Sequence, residues 1–231
     1  MTITLITGAN KGLGYETARR LLAAGHHVYL GARSEERGRA AATALGADFV
    51  QLDVTDDASV ASAAEAIGDR EGRLDVLVNN AGIIGRVAAP EQTTAEHLRT
   101  VFETNVFGIV RVTNAFLPLL RKAPSAVVVN VSSGLGSIAV VTDPARGESR
   151  LANLTYSPSK SAVTMLTVQY AKAFPELHIN VVDPGYTATD LNGNRGTQTV
   201  EEGTDAIVRM ATIGADGPTR TFQDRHGTVP W

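Results

Sequence analysis

The sequence predicts an α/β fold, a single doubly wound parallel sheet flanked by helices on both faces. Short apolar runs alternate with helix-like segments along all 231 residues. Strands that are joined by right-handed helical crossovers form a parallel sheet. Hydrophobic residues make up 43% of the chain and aromatic residues only 5%, a composition typical of helices that pack closely on such a sheet.

The first predicted strand is an apolar run over residues 3–6, and it stops at the glycine-rich turn Thr7-Gly8-Ala9-Asn10-Lys11-Gly12-Leu13-Gly14. A helix is predicted to open in this turn and to run to Gly25. A helix that directly follows a strand presents free backbone N–H groups and the positive end of its dipole, which favours a bound pyrophosphate. A plain strand-to-helix connection is the alternative, but the position of the turn favours a dinucleotide site.

Each glycine of this turn has its own expected role. Gly8 permits a tight turn after the strand, and Gly12 lets the backbone approach a phosphate. Gly14 lets the helix pack closely on the sheet. The turn therefore predicts a Rossmann-type arrangement of the sheet.

Six further strands are predicted, at residues 27–32, 49–52, 74–78, 126–131, 177–182 and 221–223. Helices are predicted at residues 35–45, 55–67, 93–105, 106–122, 156–174 and 199–213. Capping boxes are expected at two helix starts, Thr93 with Glu96 and Thr199 with Glu202, and Thr55 is expected to cap a third helix.

One domain is predicted for residues 1–231, combining dinucleotide binding and catalysis, because no repeat or linker interrupts the pattern. Residues 134–155 contain several turn-forming Gly and Pro residues and are predicted to be irregular. The segment 186–199 is a candidate substrate lid, because its residues 192–197 are polar and glycine-rich.

The composition excludes several functions. Lys plus Arg number 21 and Asp plus Glu number 24, giving a net charge of −3, so no basic surplus favours nucleic acid or an anionic membrane. The absence of cysteine excludes disulfides, thiolate chemistry and zinc sites built on Cys. The five histidines show no metal-ligand spacing, so no metal is expected. With no signal segment and no apolar run of membrane-spanning length, a cytoplasmic location is expected.

Arg33 stands at the end of the second predicted strand, where many NAD sites carry an acidic residue for the ribose 2′-hydroxyl. A guanidinium can instead hold a 2′-phosphate with two hydrogen bonds. Lys11 in the glycine turn adds a second positive charge, and Arg37 adds a third. Solvated surface charges are the alternative interpretation, but the pattern favours NADP(H) over NAD.

Tyr156 and Lys160 stand four residues apart on one predicted helix, so their side chains share a face. The unperturbed pKa of tyrosine is about 10, and a nearby ammonium or a cationic nicotinamide lowers it. Tyr156 is then a plausible acid for a carbonyl oxygen, with Ser133 as a hydrogen-bond donor to the same oxygen. A packed tyrosine and a surface-reaching lysine are the alternative.

Several motifs occur in one order along the chain. They are the glycine turn, Asn79-Asn80-Ala81-Gly82, Asn105, Val131-Ser132-Ser133, Tyr156 with Lys160, and Pro184-Gly185. In this combination the chain, from Thr2 to about Thr189, resembles the short-chain dehydrogenase/reductase family. Within the family it is most similar to NADPH-dependent carbonyl reductases, on Asn10-Lys11-Gly12 and on Ala32-Arg33 with Arg37.

The resemblance implies a role for each matching residue. Tyr156 is the implied acid/base and Lys160 its partner, while Ser133 orients the carbonyl and Asn105 holds a water. Asp53 and Val54 flank the adenine, Asn80 lies near a ribose, and Thr189 meets the nicotinamide. The complete implied cofactor set is Gly8, Asn10, Lys11, Gly12, Leu13, Gly14, Arg33, Arg37, Asp53, Val54, Asn80, Tyr156, Lys160, Pro184, Gly185, Thr187 and Thr189.

The chain departs from the common family pattern between Ser133 and Tyr156. These residues are separated by more positions than in the commonest members, so residues 134–155 are predicted to be an insertion beside the active site. In the family, the helix that carries the tyrosine packs in the usual oligomer interface. The insertion therefore favours a monomer or a dimer over a tetramer.

The predicted function is NADPH-dependent reduction of a small-molecule ketone, aldehyde or quinone by hydride transfer. A non-catalytic NADP-binding sensor or scaffold is the alternative, since such a protein needs the glycine turn but not the four catalytic residues. An isomerase or dehydratase on the same fold is a third option. Neither nucleic acid nor a membrane is an expected partner.

Overall fold

The computed structural model describes residues 1–231, and its centre is one eight-stranded sheet in the order β3-β2-β1-β4-β5-β6-β7-β8. The first seven strands are parallel, and β8 pairs antiparallel with β7. The strands are β1 (Ile3–Thr7), β2 (His27–Ala32), β3 (Asp48–Gln51), β4 (Val76–Asn79), β5 (Val127–Val131), β6 (His178–Val182), β7 (Phe222–Asp224) and β8 (Gly227–Thr228).

Nine α-helices connect and cover the strands: α1 (Gly12–Ala23), α2 (Glu35–Leu45), α3 (Asp57–Glu71), α4 (Ala95–Phe102), α5 (Gly108–Leu120), α6 (Ile138–Thr142), α7 (Tyr156–Ala173), α8 (Val200–Gly203) and α9 (Asp205–Ala211). A π-helical stretch, Glu103–Phe107, joins α4 to α5. None of these helices is long and apolar enough to cross a membrane.

Helices cover both faces of the sheet, and the apolar side chains on each face are buried. The side chains of each strand alternate between the two faces. Leu5, Leu77 and Val128 are aligned on neighbouring strands and belong to one apolar cluster of 20 residues. Ile6 and Val78 are aligned one position further along and belong to a second cluster of 19 residues. Two helical layers on one parallel sheet confirm the predicted fold class.

The order of the strands reverses between β1 and β4. The chain runs outward from β1 to β2 and β3, then returns to place β4 on the other side of β1. In open parallel sheets, ligands bind beyond the carboxyl ends of the strands at such a switch point. Thr7 at the end of β1 and Asn79 at the end of β4 mark this crevice.

The predicted strands and helices occur close to their expected bounds, but two helix starts were wrong. Asp56, not Thr55, caps α3 by accepting a hydrogen bond from Ala58 N at 2.9 Å. The N–H and hydroxyl of Thr55 are instead held by Asp53 Oδ1, at 2.9 and 2.7 Å. An Asx turn thus competes with the cap and moves it by one residue.

The second wrong start is that of α4. Thr94 caps this helix and forms a capping box with His97, not Thr93 with Glu96. Thr93 donates its hydroxyl to Ala89 O at 3.2 Å, so it belongs to the preceding turn. The predicted capping box of Thr199 with Glu202 is confirmed.

Three further differences concern local order. The predicted helix 199–213 is divided at Thr204 into α8 and α9. Residues 134–155 contain three short helices, Gly134–Gly136, α6 and Gly147–Arg150, so the expectation of an irregular segment was only partly right. The hairpin of β7 and β8 was not predicted, because β8 has only two residues.

Candidate active site

A cleft of about 780 Å³ opens at the carboxyl ends of the strands. Its walls come from the ends of β1 to β5, from α7 and from the segment after β6. The predicted site residues in these walls are Gly8, Asn10, Lys11, Gly12, Leu13, Gly14, Arg33, Asp53, Val54, Asn80, Tyr156, Lys160, Pro184 and Thr189. Residues that sequence reasoning placed in several distant segments therefore share one cleft.

The glycine turn has the geometry of a phosphate cradle. Gly8 and Gly12 have φ angles of +63° and +57°, in the left-handed region that favours glycine. A Cβ on Gly14 would lie 2.7 Å from the carbonyl oxygen of Gly8, so α1 packs on the turn only with glycine there. Lys11 is the N-cap of α1 and provides no capping side chain, which leaves the first N–H groups of the helix to a ligand. The turn thus fits a dinucleotide pyrophosphate.

Asn80 connects the end of β4 to the glycine turn. Its side-chain amide donates to the carbonyl oxygens of Thr7 at 2.8 Å and Gly8 at 3.2 Å. The hydroxyl of Thr7 in turn accepts the N–H groups of Asn80 and Ala81, both at 3.0 Å. These contacts hold the shape of the turn before any ligand binds.

Asn79 has a different task from its neighbour. It donates to Asn130 Oδ1 at 2.8 Å and to Thr113 Oγ1 at 3.2 Å. Asn130 lies opposite it on β5, so Asn79 ties adjacent strands together below the cleft.

The three predicted phosphate-binding cations differ in their surroundings. Arg33 lies in the wall of the cleft and forms no ion pair. Lys11 also lies there, but its Nζ is 2.8 Å from Asp190 Oδ2 on the opposite side of the cleft. Arg37 lies on α2 outside the cleft wall. Only Arg33 is thus both in the cleft and free to meet an anion.

Tyr156 begins α7 and points into the cleft beside Ser133. Burial raises the pKa of its phenol well above the ordinary value, the charge of Asp183 raises it further, and a hydrogen bond with Ser133 lowers it. Ser132 faces the other way, with its hydroxyl 3.0 Å from the Lys160 carbonyl oxygen. The structure thus brings Ser133, and not Ser132, to the tyrosine hydroxyl.

Lys160 is buried one turn after Tyr156. Its Nζ donates to the Val131 carbonyl oxygen at 2.8 Å and lies 5.5 Å from the centre of the Tyr156 ring. Burial lowers the pKa of Lys160 to about 8, and Asp183 acts in the opposite direction. Burial is the largest effect on the pKa of the Tyr156 phenol and raises it, so the lowering of this pKa by Lys160 stays a prediction.

Asn105 is fully buried in the π-helical stretch. Its amide donates to Ile83 O at 2.9 Å and to Ser159 Oγ at 3.0 Å, and its Oδ1 accepts Ile83 N–H at 2.8 Å. Ser159 in turn donates to Tyr156 O at 2.6 Å. Both amide hydrogens are therefore used to tie the segment after β4 to the start of α7.

Three predicted residues lie outside the cleft wall besides Arg37 and Asn105. Ser133 is one of them, although it forms a hydrogen bond with the Tyr156 hydroxyl, and Gly185 packs against the side chain of Gln198. Thr187 is buried, with its hydroxyl donated to Pro184 O at 2.9 Å. For Thr187 the structure offers no free side-chain group to a ligand.

Two acidic residues near the cleft were missed by sequence reasoning. Asp190 is paired with Lys11, and no sequence signal indicates a contact across 179 positions. Asp183 is buried at the end of β6, next to Pro184. Its position directly after a strand was a usable signal, since ligands in parallel sheets bind beyond the carboxyl ends of the strands. No group of three His, Asp or Glu residues is placed to hold a metal ion.

This fold, with a glycine turn at the switch point and a tyrosine and a lysine in the same cleft, defines a dinucleotide-dependent enzyme. The family model described as short chain dehydrogenase matches residues 2–200, and the chain belongs to this family of oxidoreductases.

Named relatives cover nearly the whole chain. A short-chain dehydrogenase of Penicillium roqueforti is 40% identical over 226 residues, which is 92% of this chain and 89% of the relative. The NADPH-bound carbonyl reductase from chicken fatty liver has a similar structure, with a TM-score of 0.86, 28% identity and full coverage of both chains. Salutaridine reductase from Papaver somniferum gives a TM-score of 0.85 at 28% identity, over 96% of this chain and 99% of the other.

Proposed function

We propose that this enzyme uses NADPH to reduce the carbonyl group of a small molecule to an alcohol. The observation that carries the proposal is the cleft itself. Tyr156 and Lys160 lie in the same cleft as the glycine turn and Arg33, so an acid and a dinucleotide seat are within reach of one ligand.

Bound NADPH supplies the hydride, and the protein supplies the proton and the orientation. Tyr156 donates its hydroxyl proton to the carbonyl oxygen. Ser133, beside that hydroxyl, donates a hydrogen bond to the same oxygen. Lys160 holds a ribose hydroxyl and stabilises the phenolate that remains.

We propose that different residues in the walls of the cleft bind different parts of the cofactor. The N–H groups at the start of α1 hold the pyrophosphate, and Asp53 with Val54 holds the adenine. Asn80 lies near a ribose, and Thr189 with Pro184 holds the nicotinamide end. All of these residues are in the cleft wall, which supports this assignment.

NADPH is proposed over NADH because of Arg33. The guanidinium lies at the end of β2, where no acidic residue is present to receive a ribose 2′-hydroxyl. A 2′-phosphate gives Arg33 the anionic partner that it lacks. The similarity to an NADPH-bound carbonyl reductase supports the same choice.

Residues 134–155 are proposed to be an insertion that shapes the substrate region, and 186–199 its lid. Ile138, Leu151 and Leu154 in the insertion are exposed apolar residues, as are Tyr186 and Leu191 in the lid. Leu191 lies in the cleft wall, and exposed apolar side chains in these two segments favour a substrate with an apolar body.

The lid is internally bonded. Thr197 N–H donates to Tyr186 O at 2.8 Å, and Asn192 Nδ2 donates to Thr187 O at 2.9 Å. The ion pair of Lys11 with Asp190 connects this lid to the glycine turn across the cleft. We propose that the lid moves as one unit when the cofactor enters.

Replacement of the tyrosine tests the function. Tyr156→Phe removes the proton donor and leaves the cleft intact, so NADPH binding stays close to the wild-type value. Turnover falls about a hundredfold to ten-thousandfold, the usual contribution of a positioned acid. The measurement is NADPH oxidation with a panel of ketones, aldehydes and quinones, together with a fluorescence titration of NADPH.

Tyr170→Phe is the matched control. Tyr170 lies on the same helix, and its hydroxyl contacts Asn114 at 2.9 Å, away from the cleft. We expect it to keep wild-type turnover. Near-normal kcat in Tyr156→Phe would rule out the mechanism, and no oxidation of NADPH with any carbonyl would favour the sensor or scaffold alternative.

A further inference from the structure

Asp183 is a buried carboxylate that the proposed mechanism does not use. It directly follows β6, and only 8% of its surface is exposed. Burying a carboxylate is unfavourable unless its oxygens find partners, so the contacts of Asp183 indicate what it does.

Two backbone turns meet at this carboxylate. Gly185 N–H donates to Asp183 Oδ1 at 2.8 Å. Gly134 lies against the other oxygen, which is 2.9 Å from the position of a Cβ on that glycine. Burial raises the pKa of the Asp183 carboxyl, and the N–H groups of Gly185 and Gly134 oppose that effect. Both contacts therefore favour the ionised form.

The contact with Gly134 lies one peptide bond away from Ser133, a residue of the proposed active site. Gly134 directly follows Ser133, whose hydroxyl accepts Leu135 N–H at 3.2 Å and lies beside Tyr156. The contact with Gly185 fixes the turn after Pro184, a cleft residue. One carboxylate thus joins the backbone beside the serine to the backbone beside the cofactor seat.

Asp183 also places a negative charge near the reacting groups. Its charge acts on Tyr156 and on Lys160. Asp224 at the end of β7 and Glu148 in the insertion act on Asp183 itself. Asp183 is the acidic residue whose charge acts on Tyr156, and Lys160 is the charged residue near the Tyr156 ring on the same helix.

We propose that Asp183 is a positioning residue of the active site: it holds the serine turn against the Pro184–Gly185 turn and sets the charge around the Tyr156 hydroxyl. The inference rests on the proposed function and assigns to it a residue that touches neither substrate nor cofactor. The negative charge of Asp183 opposes ionisation of the Tyr156 phenol and so affects the pH range in which Tyr156 accepts or donates a proton.

Asp183→Asn tests both parts of the proposal. The variant keeps the shape, but its amide group can accept only one of the two N–H groups. We expect kcat to fall about tenfold or more, since one buried N–H loses its partner. The pH midpoint of alcohol oxidation, in which Tyr156 accepts the proton, moves to lower pH because a negative charge near the phenolate is removed. An unchanged midpoint, or a shift to higher pH, overturns the proposal.

Two further variants separate the contacts from the charge. Gly134→Ala pushes the carboxylate away from the turn but keeps its charge, so kcat falls while the midpoint stays near the wild-type value. Glu148→Gln removes a carboxylate that is 3.3 Å from the same Cβ position, and we expect no shift of the midpoint. Wild-type kcat in Gly134→Ala, or a shift in Glu148→Gln as large as in Asp183→Asn, overturns the proposal.

The midpoint can also be read without turnover. The ultraviolet absorbance of tyrosinate in the NADP-bound protein, with Tyr156→Phe as the blank, reports the same titration. Absence of carbonyl reduction by the wild type would contradict the proposed function alone. An identical tyrosinate titration in wild type and Asp183→Asn would contradict the role of Asp183 alone.

Discussion

The choice of cofactor depends on single charged residues at the rim of the sheet. Arg33 is in the cleft wall without an ion-pair partner, whereas Lys11 is already paired with Asp190 at 2.8 Å. The side chains of Lys11 and Asp190 are well exposed (60% and 64%). An exposed ion pair contributes little free energy, so Lys11 can easily exchange Asp190 for another anion. Arg33 is therefore the residue on which a preference for NADPH depends most.

Reversal of the charge at Arg33 tests this dependence. A hydrogen bond to a charged group contributes about 1.5–3 kcal/mol, so Arg33→Asp lowers the NADPH/NADH ratio of kcat/KM about tenfold to a hundredfold. The measurement is steady-state kinetics with both cofactors and one carbonyl substrate.

Arg37→Asp makes the same charge change outside the cleft wall. Its effect on the ratio is expected to be clearly smaller. An unchanged ratio in Arg33→Asp, or an equal change in Arg37→Asp, would show that Arg33 does not bind the 2′-phosphate.

The predicted caps of two helices were wrong because neighbouring side chains compete for the same backbone groups. Thr55 and Thr93 are both adequate helix caps by residue type, yet Asp56 and Thr94 take those positions. Local sequence determines a cap only to within one residue, because the neighbouring turn decides which side-chain oxygen is free to accept the backbone N–H. The burial that acts on the pKa of Tyr156 was likewise not visible in the spacing of the motif.

At the scale of elements, the segment 134–155 approaches the backbone of α7 closely at Gly136. A Cβ on Gly136 would lie 2.7 Å from the backbone carbon and oxygen of Lys160. The turn before α6 can thus approach α7 only because Gly136 has no side chain. The segment 134–155 thus packs against the backbone of Lys160, the proposed partner of Tyr156.

Two alanine variants in the insertion test this contact. Gly136→Ala forces the turn away from α7, which should cost about 1–3 kcal/mol of stability, as overpacking does, and should lower turnover. Gly147→Ala meets nothing within 4 Å and should be neutral or stabilising by about 0.4–1 kcal/mol. Urea unfolding and kcat of both variants are the measurements. Equal effects of the two substitutions would contradict the proposed contact.

At the scale of the whole molecule, the predicted insertion 134–155 affects how many chains are expected to associate. The segment 134–155 contacts α7 through Gly136, and we propose that it restricts the use of this helix as an interface with further chains. Met165 on the same helix remains 58% exposed, which leaves an apolar contact for one partner. We propose a monomer or a dimer in solution.

Light scattering coupled to size-exclusion chromatography measures the mass directly. We expect the mass of one or two chains, with and without NADP. The mass of four chains would contradict this proposal and would show that the insertion leaves the face of α7 accessible.

The sequence by itself determined the sheet, the order of its elements and the glycine turn. Alternation of apolar runs and helices and the conformational demands of glycine are local properties, and a single chain displays them. It also indicated the family and brought forward Tyr156 and Lys160 as candidates, because their motifs are short and ordered. How the site works depended on contacts between segments far apart in the chain. The carboxylate of Asp183 against Gly134, the pairing of Lys11 with Asp190, and the burial that sets the pKa values of Tyr156 and Lys160 exist only when the sheet brings its strand ends together. Burial and through-space charge are properties of that assembled environment, so only the tertiary structure decided them.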